Sequence, residues 1–258
     1  MKKFLLKILK SLAKKINYKV IDNSESKFIE ANDFEKLIIK RSRQYSMTPP
    51  ERMWAIINAV KDIKINNVKG DFVECGVWRG GNLILFNYLN EKYNLNKKIY
   101  GYDTYEGMSE PSENDYLIKS NKSATQILER QIDKKFEGNN TWCYSTIEEV
   151  KNNYKEENGN PNNLHLIKGP VEKTLLIQKN LPSKISILRL DTDFYESTKI
   201  ELDILYPLLS DNGVLIIDDY GCWAGSKKAV DEYFKHKIDL PMHYIDGECR
   251  MIFKKDTI

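Results

Sequence analysis

The chain has 258 residues, of which 41% are hydrophobic and 30% charged, the balance of a globular protein with one substantial core or at most two small domains. The formal net charge is only +3, and much of that excess lies in the first twenty residues, which leaves no broad basic face for a nucleic acid. Four scattered cysteines without a C-x-x-C pair, and three histidines, offer no framework for zinc and fit reduced thiols in a cytoplasmic protein.

Residues 1–20 begin like a signal peptide, but Lys7 and Lys10 interrupt the apolar region and no small-residue cleavage site follows. Phe4, Leu5, Ile8, Leu9, Leu12 and Ile16 share one helical face, and Lys3, Lys7, Lys10 and Lys14 fall mostly on the other. The spacing predicts a basic amphipathic helix, suited either to packing on its own domain or a partner subunit, or to contact with an anionic membrane surface at the inner face. No apolar run reaches the length of a membrane span. Residues 21–44 read as a lead-in with a polar linker from Asn23 to Asn32, and a main domain is expected over residues 45–258.

In YSMTPPERMWAIINAVKDI, Thr48 is placed to cap a helix over Pro49–Ile63, with Glu51 at capping-box spacing. DFVEC, residues 71–75, is a short apolar strand. Gly76, Gly80 and Gly81 form a glycine-rich turn, Asn82 can cap the helix LILFNYLNEKY, and KKIYGYD, residues 97–103, is a strand ending in Asp103. Strand, glycine turn, helix, strand and acid is the opening of an open α/β nucleotide-binding sheet, although ECGVWRGG is not G-x-G-x-x-G and a glycine turn alone is a weak signal. The polar stretch 106–163 reads as a surface insertion or lid with one helix near Ala124–Phe136 and another starting at Ser145, with Glu148 completing a capping box. The α/β rhythm then resumes with strands at 164–169, 186–191 and 213–219, the last after a turn at Asp211–Gly213, and helices at 197–209 and 226–237. A terminal hairpin turns at Asp246–Gly247. The predicted fold is therefore a Rossmann-like, mostly parallel sheet with an antiparallel hairpin and helices on both faces.

Three strands end in acids: Asp103, then Asp191 and Asp193, then Asp218 and Asp219. In a parallel sheet these ends share one edge, where ligands bind. The glycine turn and Asp103 suit a nucleoside with a ribose diol. Clustered carboxylates repel unless a cation or proton separates them, and all-oxygen ligands favour Mg²⁺ or Mn²⁺. Trp223 and Tyr220 are core residues or, at this edge, a stacking surface for a sugar.

GDFVECGVWRGG, YDTYEGM, RLDTDFYEST and GVLIIDDYGCWAGSKKAVDEYF, with YSMTPPER and HLIKGPVEKTL, resemble the macrocin O-methyltransferase family over roughly residues 45–235. The resemblance implies a class I methyltransferase with a seven-stranded sheet that uses S-adenosylmethionine and Mg²⁺, with Mn²⁺ as an alternative, to methylate a sugar hydroxyl. It implies Asp191, Asp218 and Asp219 as metal ligands and Asp193 as the general base. It also implies Thr48, Glu74, Gly76, Gly80 and Gly81 at the cofactor, and Asp103 on its ribose. Cys222 departs from the histidine expected in many relatives. The acceptor would be a nucleotide-linked, lipid-linked or glycan-bound sugar, and the lysine-, asparagine- and isoleucine-rich composition points to a surface glycan. A homo-oligomer is the expected assembly. A catechol or phenol methyltransferase would use the same acids, and a non-catalytic binding protein would share the fold.

Overall fold

The computed structural model describes residues 28–130, 142–235 and 241–255, so the helix predicted over residues 1–20 lies outside them. The chain divides into two units, residues 1–36 and 37–258. Asn32 and Glu35 satisfy each other's backbone N–H groups at 3.0 Å, a capping box that opens the helix Asp33–Ser42 (α1).

The second unit is built on seven strands: Asp71–Cys75 (β1), Ile99–Asp103 (β2), Leu164–Lys168 (β3), Ile185–Leu190 (β4), Leu209–Ile217 (β5), His243–Tyr244 (β6) and Arg250–Phe253 (β7). Their order is β3-β2-β1-β4-β5-β7-β6. The first five run parallel, and β7 is antiparallel to both β5 and β6, as the alternation of strands and helices predicts. The helices are Pro50–Ile65 (α2), Gly81–Tyr93 (α3), Ala124–Leu128 (α4), Ile147–Glu156 (α5), Val171–Thr174 (α6), Tyr195–Leu205 (α7) and Ala224–Phe234 (α8). Among the described residues no helix is long and apolar enough to cross a membrane.

The period-2 alternation of the strands decides what each face carries. Val73, Cys75, Leu188, Leu190, Leu215 and Ile217 pack in one core cluster with Leu202 and Leu205 of α7 and Val230 of α8. The alternate residues take the opposite face, where Phe72 stacks on Phe86 of α3 with ring centroids 4.8 Å apart. Glu74 and Arg189 have the same parity, so the pleat carries these two charges into the opposite layer.

Several local expectations are corrected. Helix α2 starts after Pro49, whose side chain makes no cap, because the Thr48 hydroxyl turns inward; the Thr48–Glu51 box does not form. Asn82 is buried inside α3, and Gly80, in the left-handed region, precedes the helix instead. Helix α5 is capped by Thr146, which accepts from Glu149 N–H, one residue later than the predicted Ser145–Glu148 pair. The predicted turn at Asp211–Gly213 lies within β5 as an irregularity opposite Ile185 and Ile187, with Asn212 at a φ of 60°. Helix α7 gives way to a 3₁₀ turn at Tyr206–Leu208, where Pro207 removes a helical donor. Of the helix predicted near Ala124–Phe136, the described part is α4.

The inserted segment is anchored to the sheet edge. Leu117 bridges to Trp223, Ile118 N–H donates to Cys222 O, and Ala224 N–H donates to Tyr116 O. Asp115, only 1% exposed, caps α7 from a distance: its Oδ1 accepts from Tyr195 N–H at 2.7 Å, while Oδ2 accepts from the backbone and hydroxyl of Ser112. Phe194, which precedes α7, has no cap of its own to offer. Asp115→Ala is expected to cost about 1–2 kcal/mol, the usual worth of an N-cap, read as a lower denaturation midpoint at unchanged slope.

Candidate active site

The four central parallel strands end in step. Gly76 N–H donates to Tyr102 O, Asp191 N–H to Cys75 O and Asp218 N–H to Leu190 O, each at 2.9 Å, so the ladder continues one residue past β1, β4 and β5. The acids that follow these strands are thereby drawn up along one edge. A pocket of about 350 Å³ opens there, and its walls include Thr48, Arg52, Gly76, Asp103, Asp191, Asp193, Asp218, Asp219, Trp142 and Trp223.

At one end the chain turns sharply after β1. Gly76 has a φ of 84°, and a Cβ there would lie 1.9 Å from Asp191 O, so only glycine lets the strand ends approach this closely. Asp103 organises the turn: its Oδ2 accepts from Val77 and Trp78 N–H at 2.7 and 2.9 Å, and its Oδ1 from Tyr105 N–H at 2.7 Å. Burial raises its carboxyl, and these backbone donors oppose the rise. Asp103, Gly76 and Thr48 line the pocket, whereas Glu74, Gly80 and Gly81 stand behind its wall. A Cβ on Gly81 would meet Ser46 Cβ at 2.4 Å and Ser42 O at 2.5 Å, and one on Gly80 would touch Val150. Those two glycines let α3 approach its neighbours closely.

At the other end lies the acid cluster. Carboxylate oxygens of Asp191, Asp193 and Asp219 come within 4.8 Å of one another. Burial pushes all three carboxyls up; Asp191 adds to the rise at Asp193, to about 8, and Asp193 adds to the rise at Asp219. The side chains of Asp193 and Asp219 face each other closely enough to share a proton. A shared proton or a hard dication would relieve the repulsion, and three convergent carboxylates fit Mg²⁺ or Mn²⁺.

Asp218, expected as a third ligand beside Asp191 and Asp219, also meets two arginines. Its Oδ1 accepts from Arg189 Nη2 at 2.5 Å and its Oδ2 from Arg52 Nη1, so both oxygens already face guanidinium groups. Arg189 is 0% exposed and also donates through Nη1 to Glu74 and Asp191, each at 2.7 Å, and through Nη2 to Thr48 Oγ1 at 3.2 Å. Arg52 spends its other nitrogens on Asp246 at 2.7 Å and Glu248 at 2.6 Å in the turn between β6 and β7. Glu74 is pushed up by burial to about 7, against the pull of Arg189, and Asn82 donates to it at 2.9 Å. Neither arginine was singled out from the sequence. A signal existed: Arg189 interrupts a buried strand, and Arg52 lies on the same helical face as Ile56 and Ile63.

Beyond the acids the wall is aromatic. Trp223 packs edge-on against Phe194 with centroids 5.5 Å apart and tilts against Trp142 at 6.0 Å, and Met108 and Cys222 pack beside them. Tyr220 instead donates to Asp231 at 2.8 Å. Of the histidines that are described, His165 stacks on Tyr100 and His243 meets Phe253 edge-on.

The family profile described as macrocin-O-methyltransferase (TylF) matches residues 3–255. A demethyldecarbamoylnovobiocin O-methyltransferase of Streptomyces niveus is 32% identical over 198 residues, 76% of this chain and 70% of the relative. An 8-demethyl-8-(2,3-dimethoxy-alpha-L-rhamnosyl)-tetracenomycin-C 4'-O-methyltransferase of Streptomyces olivaceus is 27% identical over 205 residues, 79% of this chain and 73% of the relative. The solved structure of the O-methyltransferase NovP is similar at a TM-score of 0.72 and 26% identity, over 99% of both chains.

Two outcomes follow from the charge arrangement. Arg189→Met leaves Glu74 and Asp191 without their buried countercharge and Asp218 with Arg52 alone, and should cost about 3–5 kcal/mol in chemical denaturation. The cluster carboxyls titrate higher in the folded chain than in the unfolded one, so the folded state binds more protons between pH of about 4 and about 8. In chelator, stability should therefore fall as pH rises through that window. Thermal melts should show the slope flattened in Asp219→Asn, and added Mg²⁺ should stabilise most at the alkaline end.

Proposed function

Because the chain belongs to the macrocin-O-methyltransferase family, we propose that it transfers the methyl group of S-adenosylmethionine to a hydroxyl of a sugar-containing acceptor, with Mg²⁺ or Mn²⁺ resident at the acid cluster. The observation that carries this reading is the convergence of Asp191, Asp193 and Asp219 within 4.8 Å beside a glycine turn, on the ligand-binding edge of a parallel sheet. One relative is named for a rhamnosyl compound, which supports a sugar as the acceptor. The indoles of Trp142 and Trp223 suit the apolar face of a pyranose, while the carboxylates suit its hydroxyls.

Bound S-adenosylmethionine supplies an electrophilic methyl group, and a divalent cation makes a nearby hydroxyl more acidic. The rest falls to the protein. Asp191 and Asp219 would hold the cation, and Asp193 would take the proton from the acceptor hydroxyl, whose oxygen would gain the methyl group as its bond to sulfur breaks and S-adenosylhomocysteine leaves. Burial and the neighbouring Asp191 raise the Asp193 carboxyl to about 8, and opposite charge beside it would lower it again, toward the ionised state that accepts a proton. Asp218 works from behind, holding Arg52 and Arg189 in place. The backbone bonds of Asp103 fix the turn, the weakly used side of its Oδ1 suits a ribose hydroxyl, and Gly76 allows the cofactor close to the backbone. The aromatic wall excludes water and aligns the acceptor, which matters because an in-line displacement tolerates little misplacement.

Calorimetric titration of S-adenosylhomocysteine should show binding with Asp103 intact. Asp193→Asn should retain that binding while losing about 10²-fold or more in turnover of a rhamnoside acceptor. Chelation should abolish turnover, and Mg²⁺ or Mn²⁺ should restore it. Normal turnover in Asp193→Asn would remove it as the proton acceptor, and turnover indifferent to chelator would remove the cation.

A further inference from the structure

The loop after β4 holds Asp193 in a conformation that L-residues seldom adopt. Its φ is 66°, and Phe194 N–H donates to Thr192 O at 2.7 Å across it. That bond closes a three-residue γ-turn of the positive-φ kind, a rare and strained geometry that persists only when its surroundings hold it. Asp191 N–H is tied to Cys75 O on one side, and Phe194 O accepts the first helical bond of α7, from Thr198 N–H at 3.0 Å, on the other. Between these anchors the Thr192 hydroxyl donates to Glu201 Oε2 at 3.1 Å.

Glu201 is an unusual partner. It projects from α7 and is 0% exposed, with the Cys75 thiol beside it and its Oε1 without a hydrogen-bond partner among the described residues. Burying a carboxyl is costly, and nothing in core packing calls for one here, where Leu202 and Leu205 fill the same helix face. The bond it makes is to the one residue between Asp191 and Asp193.

We propose that Thr192 and Glu201 are positioning residues for the transfer reaction. Their half-buried bond pins the centre of the loop, holds the strained turn, and so keeps the Asp193 carboxyl facing Asp219 and the acceptor. The inference rests on the reading of Asp193 as proton acceptor for its catalytic meaning, but its structural content is independent of that reading.

The test compares crystal structures of the wild type, Thr192→Val, Glu201→Gln and Glu201→Leu, each with S-adenosylhomocysteine, and turnover of a rhamnoside acceptor by the same proteins. Valine keeps the shape of threonine and removes the donor. Glutamine keeps an acceptor oxygen. In Thr192→Val and Glu201→Leu, Asp193 should leave the positive-φ region, and turnover should fall by about 10²-fold with KM for both substrates unchanged, the signature of lost alignment. Glu201→Gln should retain the turn and most of the turnover. If Glu201→Leu does not fold, Thr192→Val carries the comparison alone. A Thr192→Val protein with Asp193 still at its wild-type φ overturns the proposal, as does a Glu201→Gln protein that has lost the turn. Failure of the base reading would look different: the turn would relax in Thr192→Val while Asp193→Asn kept its activity.

Discussion

Arg189 lies in the middle of the central sheet with no solvent contact, and its two Nη atoms are divided among Glu74, Asp191, Asp218 and the Thr48 hydroxyl. A guanidinium in such a place is tolerable only because its surroundings return what desolvation removes, and the acids are tolerable only because of it. The planar fork makes the sharing geometric as well as electrostatic: adjacent nitrogens point at side chains from β1, β4 and β5 at once. The positions of the acids at the sheet edge therefore depend on one another through this residue.

Arg52 extends the same arrangement outward. It comes from the first turn of α2, meets Asp218 at the end of β5, and reaches Asp246 and Glu248 in the terminal hairpin turn. Asp246 in turn accepts from Glu248 and Cys249 N–H, each at 2.8 Å, so the hairpin turn is shaped by the residue that ties it to the site. Segments nearly 200 residues apart, at separations of 194 and 196 positions, are joined by this single side chain. The consequence is a pocket with a stiff floor of paired charges. In the cluster of Asp191, Asp193 and Asp219 above it, only Asp191 is bonded to an arginine among the described residues, which leaves the cluster to take a cation or a proton.

The site thus separates two kinds of acid that look alike in sequence. Asp218 and Asp219 are neighbours at the end of one strand, yet the side chain of Asp218 turns to the arginines and that of Asp219 to Asp193. Asp191 belongs to both groups, one oxygen toward Arg189 and its charge felt by Asp193. The aromatic wall comes from the inserted segment and from the loop after β5, joined by the Leu117–Trp223 bridge. The same scaffold can accordingly change its acceptor through that wall without disturbing the paired charges beneath.

Much of the architecture was legible in the linear sequence because it depends on periodicity and local chemistry. Apolar runs of strand length, helices between them and the turn at Asp246–Gly247 specify a mostly parallel sheet with a terminal hairpin, and acids at three strand ends mark the edge where ligands bind. The family motifs added the reaction. What the sequence could not supply was the partner of each charge. Thr48 reads locally as a helix cap, Glu74, Gly80 and Gly81 as cofactor contacts by family resemblance, and Asp218 as a metal ligand. Only the packed structure turns Thr48, Glu74 and Asp218 toward buried arginines and gives the two glycines to close helix packing. A strand's alternation tells which face a side chain takes, but not which side chains from distant strands will meet it there. That choice is made by desolvation: once buried, each charge must find its opposite across the sheet, and the pairs that form are set by the register of β1, β4 and β5 rather than by any residue's neighbours in the chain.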